Sequence, residues 1–242
     1  MVQKAIRLVI HGAGGRMGSR TAALAATDAR FELAACVFHR VAGESRGARA
    51  FLAEDLPKAL SGADVLVDFS AAGASVSALE AAALAKKAAV VGTTGFSSVQ
   101  RAQIQALSKR IPVFLSPNFS RGVAVLGRLA REMARLLPAY DAAILETHHK
   151  AKKDAPSGTA LRLAQALREA RPDQAQVPIS SQRLGGVVGE HAITFAGPFE
   201  RIEIVHRADS RALFALGALD AAAWLRRKRP GLYGMDDWLG AK

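Results

Sequence analysis

The alternation of apolar and polar positions changes character about halfway along this chain of 242 residues. In the first half, short β-branched or apolar runs alternate with longer stretches of helical periodicity, the rhythm of a parallel sheet covered by helices. Ile6 to Ile10 predicts a first strand, and a helix follows from Met17 to about Ala26. Further strands are predicted at Phe31 to Phe38, Val65 to Phe69, Ala89 to Val91 and Val113 to Ser116. Helices fall at about Ser75 to Lys86 and Gln100 to Arg110. This succession predicts an α/β fold, a doubly wound parallel sheet of Rossmann type.

After Asn118 the pattern predicts a helix from about Val123 to Leu137, a strand Ala142 to His148 and a helix Thr159 to Glu169. Three strand-like stretches then follow without helices between them, at Ile179 to Arg183, Val187 to Ala196 and Glu200 to His206. They predict a mixed or antiparallel sheet and hence an inserted α+β unit. Arg171, Pro172 and Asp173 mark a loop rather than a linker, and a last helix, about Arg211 to Arg227, fits either unit.

With 50% hydrophobic and 22% charged residues the chain can bury a sizeable core, which excludes disorder as its dominant state. The 33 Lys and Arg against 21 Asp and Glu leave a formal charge of +12, which asks for an anionic partner. Nucleic acid, a membrane surface and phosphorylated small molecules all meet that description. Cys36 is the single cysteine, so no intrachain disulfide forms and a reducing compartment fits best. The apolar stretch Leu8 to Ile10 is too short for a secretory leader, and Ala212 to Leu219 is too short to cross a bilayer. The expectation is a cytoplasmic protein without a membrane partner.

Gly12, Ala13, Gly14, Gly15, Arg16, Met17 and Gly18 lie between the first strand and first helix, where backbone N–H groups can reach a pyrophosphate. The glycines are spaced G-x-x-G-x-x-G, because Met17 stands where the commoner G-x-G-x-x-G has its third glycine. A glycine turn that merely allows close packing of strand on helix is the competing reading. An NAD-preferring site carries Asp or Glu at the end of the second strand, a place held here by Phe38. His39 and Arg40 follow, and a cation there suits a 2′-phosphate, so the sequence leans towards NADPH with NADH still usable. Phe38 itself reads either as a core side chain or as a face stacked on adenine.

Asp68, Phe69 and Ser70, and then Gly92, Thr93, Thr94 and Gly95, stand at the C-terminal ends of predicted strands, the ligand-binding edge of an open α/β sheet. Gly92 and Gly95 would let backbone approach a nicotinamide, with the threonine hydroxyls as donors and acceptors. The same tetrapeptide also reads as a plain turn.

The densest polar cluster runs from Glu146 to Thr159 and contains His148, His149, Lys150, Lys152 and Lys153. Successive strand residues face opposite ways, so His148 and His149 share a task only if the strand has ended. No carboxylate or third histidine is recognisable at metal-ligand spacing, which favours proton transfer over a metal site. Pro156, Ser157, Gly158 and Thr159 open a helix and form an anion cradle, and the lysines add positive field. A capped helix beside a solvated basic loop is the alternative.

Taken together these segments resemble the 4-hydroxy-tetrahydrodipicolinate reductase (dihydrodipicolinate reductase) family over nearly the whole chain. The motifs are G-A-G-G-R-M-G (Gly12 to Gly18), V-D-F-S (Val67 to Ser70), G-T-T-G-F (Gly92 to Phe96) and P-N-F-S (Pro117 to Ser120). They continue with E-T-H-H-K-A-K-K-D-A-P-S-G-T-A (Glu146 to Ala160) and V-G-E-H (Val188 to His191). The resemblance implies a dinucleotide-binding domain from residues 1–119 and 212–242, a substrate-binding and oligomerisation domain from 120–211, catalysis in the cleft and a homotetramer. It implies an NAD(P)H-dependent reduction at the substrate's ring C4 with loss of water, in the diaminopimelate route to lysine.

Carried over residue by residue, it makes His148 the proton donor or acceptor and Lys152 a second proton donor, with His149, Gly158 and Thr159 on the substrate. Gly12 to Met17, Gly92 to Thr94 and the run Ser116, Pro117, Asn118 and Phe119 go to the cofactor. Two departures stand out: Ala71, Ala72 and Gly73 replace a basic residue common in the family, and the loops joining the later strands are trimmed. A related reductase or dehydrogenase for another imino or amino dicarboxylate is the alternative. A nucleic-acid partner would lean on Arg226, Arg227, Lys228 and Arg229, but that run ends a helix, where cations suit the dipole, and lacks interleaved aromatics.

Overall fold

The computed structural model describes residues 4–40, 43–172 and 176–240. The chain divides into two compact units, Met1–Phe119 with Ala212–Lys242, and Ser120–Arg211. Elements are numbered along the chain. The first unit contains β1 (Ile6–His11), α1 (Arg16–Ala25), β2 (Phe31–Phe38), β3 (Arg49–Leu52), α2 (Leu56–Leu60), β4 (Val65–Asp68) and α3 (Ala72–Leu84). It continues with β5 (Ala88–Val91), α4 (Ser98–Ser108) and β6 (Pro112–Leu115), and ends in α7 (Ala212–Leu225), β11 (Gly231–Tyr233) and α8 (Met235–Trp238). The second unit holds α5 (Arg121–Leu136), β7 (Asp141–His148), α6 (Gly158–Ala170), β8 (Ile179–Arg183), β9 (Gly189–Ala196) and β10 (Arg201–Ala208).

The first sheet has the order β11-β6-β5-β4-β1-β2-β3, with every pairing parallel. Chain order runs outward from β1 in one direction and from β4 in the other, so the topological switch falls between these two strands. A ligand-binding crevice opens there because the flanking loops leave on opposite faces. β4 is buried at all four positions, as a central strand covered on both faces must be. Val65 and Val67 face one core together with α1 and α7, while Leu66 faces the other with α2, α3 and α4.

The last helix belongs to this first unit, which decides the assignment that periodicity left open. Alanines and Gly217 let it lie close: a Cβ on Gly217 would stand 2.0 Å from the Phe119 carbonyl oxygen. β3, α2, β11 and α8 lie outside the elements predicted from the sequence. Each is five residues or fewer and lacks the continuous apolar run that marks strands as short as β4 and β5.

The second sheet, β10-β9-β7-β8, is mixed: β7 pairs β8 in parallel, and the other pairings are antiparallel. Leu126, Ala130 and Ala134 of α5 and Ala160, Leu163 and Leu167 of α6 cover one face through Ala142, Ile144, Ile193 and Phe195. Period two puts Glu146 and His148 on that inward face of β7, and Gly189 and His191 on that of β9. Arg171, read as loop, is a buried residue that donates to the Ala134 and Tyr140 carbonyls. Pro172 follows it, and Asp173 lies outside the described residues.

Candidate active site

The glycine-rich turn joins β1 to α1 at the switch point. Gly12 has a left-handed φ of +76°, and a Cβ on it would meet the Phe69 carbonyl oxygen at 2.5 Å. A Cβ on Gly18 would fall 2.1 Å from the Gly12 carbonyl oxygen, so the close approach of helix to turn depends on glycine at both places. Helix α1 begins at Arg16 with Gly15 as its N-cap and no side chain bonded to its first N–H groups. Gly14, Gly15 and Arg16 are exposed, Met17 is half-buried and Ala13 is buried. Free amides at a helix N-terminus, unobstructed by side chains, fit a pyrophosphate.

Phe38 ends β2 and is only 3% exposed in the core, so it is a packing side chain and not an open face for adenine. His39 and Arg40, just beyond it, are exposed. Gly92 also has a packing reason to be glycine: a Cβ there would lie 2.1 Å from the Phe69 ring. Phe119 is likewise a core side chain, edge-on to Phe69 and stacked on Phe114. Ser116 is buried and folds its hydroxyl onto the Asn118 carbonyl at 2.6 Å, which shapes the turn through exposed Pro117.

Beneath this edge Asp68 is fully buried and accepts four side-chain hydrogen bonds. His11 Nδ1 and the Ser70 hydroxyl reach Oδ1, each at 2.7 Å, while the Ser75 and Thr93 hydroxyls reach Oδ2. Burial pushes this carboxyl up, but the bonds from His11, Ser70 and Ser75 outweigh it and hold it below the usual carboxylate range. The Thr93 hydroxyl is thereby committed inward, whereas Thr94 is exposed.

In the second unit β7 ends at His148, so half-buried His149 is free of the strand's alternation. His148 Nδ1 is hydrogen-bonded to Oε2 of fully buried Glu146, whose Oε1 accepts from Arg183 Nη2 at 2.9 Å. Burial raises the Glu146 carboxyl, yet Arg183, Ser181 and His148 together hold it below its ordinary value. Burial also lowers His148 below the usual imidazole range; Glu146 opposes that shift, and the Lys152 and Arg183 charges add to it. Lys152 Nζ is clamped between the two Asp154 oxygens at 2.8 Å, while Lys150 and Lys153 are exposed.

His191 sits directly across from Glu146 in the β7–β9 register, with its ring edge-to-face to His148 at 5.2 Å. Burial and then the His148 charge push its imidazole down to about 4, so it is neutral near pH 7. The Ser157 hydroxyl bonds His191 Nε2 at 3.2 Å and also caps α6 by accepting from the Ala160 N–H. Gly158 and Thr159, the first residues of α6, therefore present a helix N-terminus next to the imidazoles.

Two family models, described as the N-terminus and the C-terminus of dihydrodipicolinate reductase, match residues 6–119 and 122–239. The chain belongs to the dihydrodipicolinate reductase family. It is 42% identical to the 4-hydroxy-tetrahydrodipicolinate reductase of Anaeromyxobacter dehalogenans strain 2CP-1, covering 98% of both chains. It is 41% identical to that of Aquifex aeolicus, over 97% of this chain and 99% of the relative. Among solved structures, a dipicolinate-bound dihydrodipicolinate reductase from Paenisporosarcina sp. TG-14 superposes with a TM-score of 0.84 at 25% identity, covering 97% and 99% of the two chains. An aspartate semialdehyde dehydrogenase from Vibrio cholerae, 12% identical with a TM-score of 0.59 over 93% of this chain and 99% of the other, shares the fold.

As a member of this reductase family the chain is an oxidoreductase of lysine biosynthesis that works with a nicotinamide dinucleotide. The sequence reading missed Glu146, Arg183 and His191 as members of the site. It also found no carboxylate or third histidine to join His148, and the fold corrects this: one ligand atom each from Glu146, His148 and His191 lie within 4.8 Å of one another. Both Glu146 oxygens are already bonded, to His148 and Arg183, so the cluster is built as a hydrogen-bonded network. The i, i+2 spacing of Glu146 and His148 on a strand was the available signal; His191 closes the V-G-E-H motif, but its place beside them depends on register. Among the described residues no helix is long and apolar enough to cross a membrane.

Proposed function

We propose that the chain reduces 4-hydroxy-tetrahydrodipicolinate to tetrahydrodipicolinate, with His148 and Lys152 supplying protons and with His149, Gly158 and Thr159 holding the substrate. The observation that carries this reading is the junction of the Glu146–His148 pair with the N-terminus of α6. Together they offer a proton source and an anion cradle on one small unit. A dinucleotide held at the glycine-rich turn would supply the hydride for the ring carbon, with the substrate's hydroxyl lost as water.

Hydride arrival places negative charge on the conjugated imine, and a neighbouring imidazolium and ammonium lower that barrier by charge and by proton transfer. Lys152 leaves Asp154 to reach the substrate, an exchange that costs little because Lys152 gains another anion and the exposed Asp154 carboxylate is taken up by water. A substrate carboxylate lies at the N-terminus of α6, at Gly158 and Thr159, where the helix dipole favours it. A relative that carries dipicolinate, itself a pyridine dicarboxylate, supports a ligand of this class.

The exposed Arg40 guanidinium, with the His39 side chain beside it and no carboxylate at Phe38, supports a preference for NADPH over NADH. Residues 1–119 and 212–242 act as the dinucleotide domain and 120–211 as the substrate and oligomerisation domain. The uncovered face of the second sheet, where Leu145 and Val205 flank Ala192 in register and are 40% and 41% exposed, supports self-association into a homotetramer. The working compartment is the cytoplasm, and no metal takes part.

The test couples the protein to a synthase that makes the unstable substrate from pyruvate and aspartate semialdehyde, and follows NADPH and NADH oxidation separately. Oxidation above the substrate-free rate is expected, faster with NADPH. No such oxidation would remove the reductase assignment. A His148→Gln variant that keeps full turnover would remove His148 from the proton-donor role, and Arg40→Glu should raise the NADPH KM more than the NADH KM.

A further inference from the structure

We infer that Glu146 is a positioning residue that makes Nε2 the reacting nitrogen of His148, and that Gly189 keeps the space in front of this nitrogen open. The inference rests on His148 being the proton donor proposed above, but its first test reads the imidazole directly and stands apart from turnover.

An imidazole has two nitrogens, and the partner of one decides the proton inventory of the other. Glu146 is fully buried, whereas the His148 side chain keeps 11% of its exposure, so the edge left open to a ligand is the one away from Glu146. Nδ1 is committed to Oε2 of this carboxylate. Glu146 cannot swing away, because Arg183 Nη2 pins its second oxygen and also donates to the Asp154 carbonyl. Its carboxyl is held ionised, hence acceptor-only, which forces Nδ1 to carry a hydrogen. When His148 gives up a proton it must therefore give up the one on Nε2.

The backbone on the other side matches this assignment. A Cβ at Gly189 would stand 3.0 Å from Nε2 and 3.3 Å from Cδ2 of His148, so any larger residue would fill the approach to that nitrogen. Gly189 begins β9, two residues before His191, whose ring lies edge-to-face on His148. The charged and titratable groups around His148 are Glu146 on its own strand, Arg183 on β8, His191 on β9 and Lys152 in the following loop. Among these Glu146 alone favours the imidazolium.

The proton donated is replaced on Nε2 from solvent after each turnover, and Nδ1–H stays on Glu146 throughout. Glu146 touches neither substrate nor cofactor in this scheme; it acts through His148.

The experiment uses the whole protein with 15N-labelled histidine. Above its titration, His148 should populate the Nδ1–H form, opposite to the Nε2–H form that free histidine favours. Finding Nε2–H as the neutral form of His148 overturns the assignment whether or not His148 proves to be the donor. Glu146→Gln should move the alkaline limb of the kcat/KM profile to lower pH by about one unit, because the anion favouring the charged ring is gone. Arg183→Gln should move it the opposite way, and Glu146→Asp should restore it in part. A limb that stays put in Glu146→Gln, or shifts of one sign in both variants, refutes the role of Glu146. Gly189→Ala should lower kcat about tenfold or more with the dinucleotide Kd unchanged; unchanged kcat in a folded variant refutes the open approach to Nε2.

Discussion

Replacing Asp68 by Asn tests whether the cofactor edge is held together by one buried carboxylate. The side chain is wholly buried, and its four donors come from β1, the loop after β4, α3 and the turn after β5. Asn keeps the size but exchanges one oxygen for an NH2 group. Its least costly rotamer points that group at Ser75 and Thr93, whose hydroxyls can turn to accept, since Nδ1–H of His11 cannot. Two bonds to a charged acceptor become bonds to a neutral one, and two donors lose their acceptor. A charged hydrogen bond contributes roughly 1.5–3 kcal/mol and such losses overlap, so a net cost of about 3 kcal/mol is expected. For a chain of this size that is a fall in Tm of about 6–12 °C.

The pH dependence has a definite sign. Because the folded carboxyl lies below its unfolded value, its contribution is complete above the unfolded pKa of about 3.9 and is lost as pH falls through the lower folded value. The wild type and Asp68→Asn should therefore differ fully from pH 5 to 8 and converge only in strong acid. Urea unfolding at several pH values, with NADH binding followed by fluorescence, measures both effects. A variant within about 0.5 kcal/mol of wild type at pH 7 would show that the four bonds do not hold this edge.

Gly18→Ala should raise the dinucleotide Kd about tenfold or more, because its Cβ overlaps the Gly12 carbonyl and spreads the turn that exposes the α1 amides; isothermal titration reads this, and wild-type affinity would contradict the packing argument. Gly73→Ala has the opposite sign: nothing lies within 4 Å of the added Cβ in α3, so thermal unfolding should show a gain of about 0.4–1 kcal/mol. Cys36 is fully buried and burial pushes its thiol up to about 11, so a disulfide reagent at pH 8 should label it only after denaturation. Prompt labelling of the native protein would place Cys36 outside the core.

Much of the fold was legible because it repeats a local signal. Strands such as Ile6–His11 and Val65–Asp68 are continuous apolar runs, and the helices between them carry the 3.6-residue period, so their order alone implied a parallel doubly wound sheet. The glycine turn and the block from Glu146 to Thr159 were likewise readable as local motifs. The short elements β3, α2, β11 and α8 were not, since they lack the continuous apolar run that marks the equally short β4 and β5, and they form against strands or helices already in place.

The chemistry that depended on register was hidden. Glu146 and His148 share a face by their spacing, but only the antiparallel pairing of β7 with β9 sets His191 opposite Glu146 and Gly189 against His148, some forty residues away. Phe38, Phe119 and Gly92 show the same division from the other side. The sequence left Phe38 open between core and adenine and put Phe119 and Gly92 in motifs assigned to the cofactor; packing places both rings in the core and requires a glycine at 92 to clear the Phe69 ring. Sequence by itself determined the order of elements, the family and the positions of the anion-binding helix starts, because these follow from interactions between near neighbours. Tertiary structure decided which polar groups meet, such as four donors on Asp68 and three partners on Glu146, because burial and hydrogen-bond satisfaction are properties of strands brought together in one register.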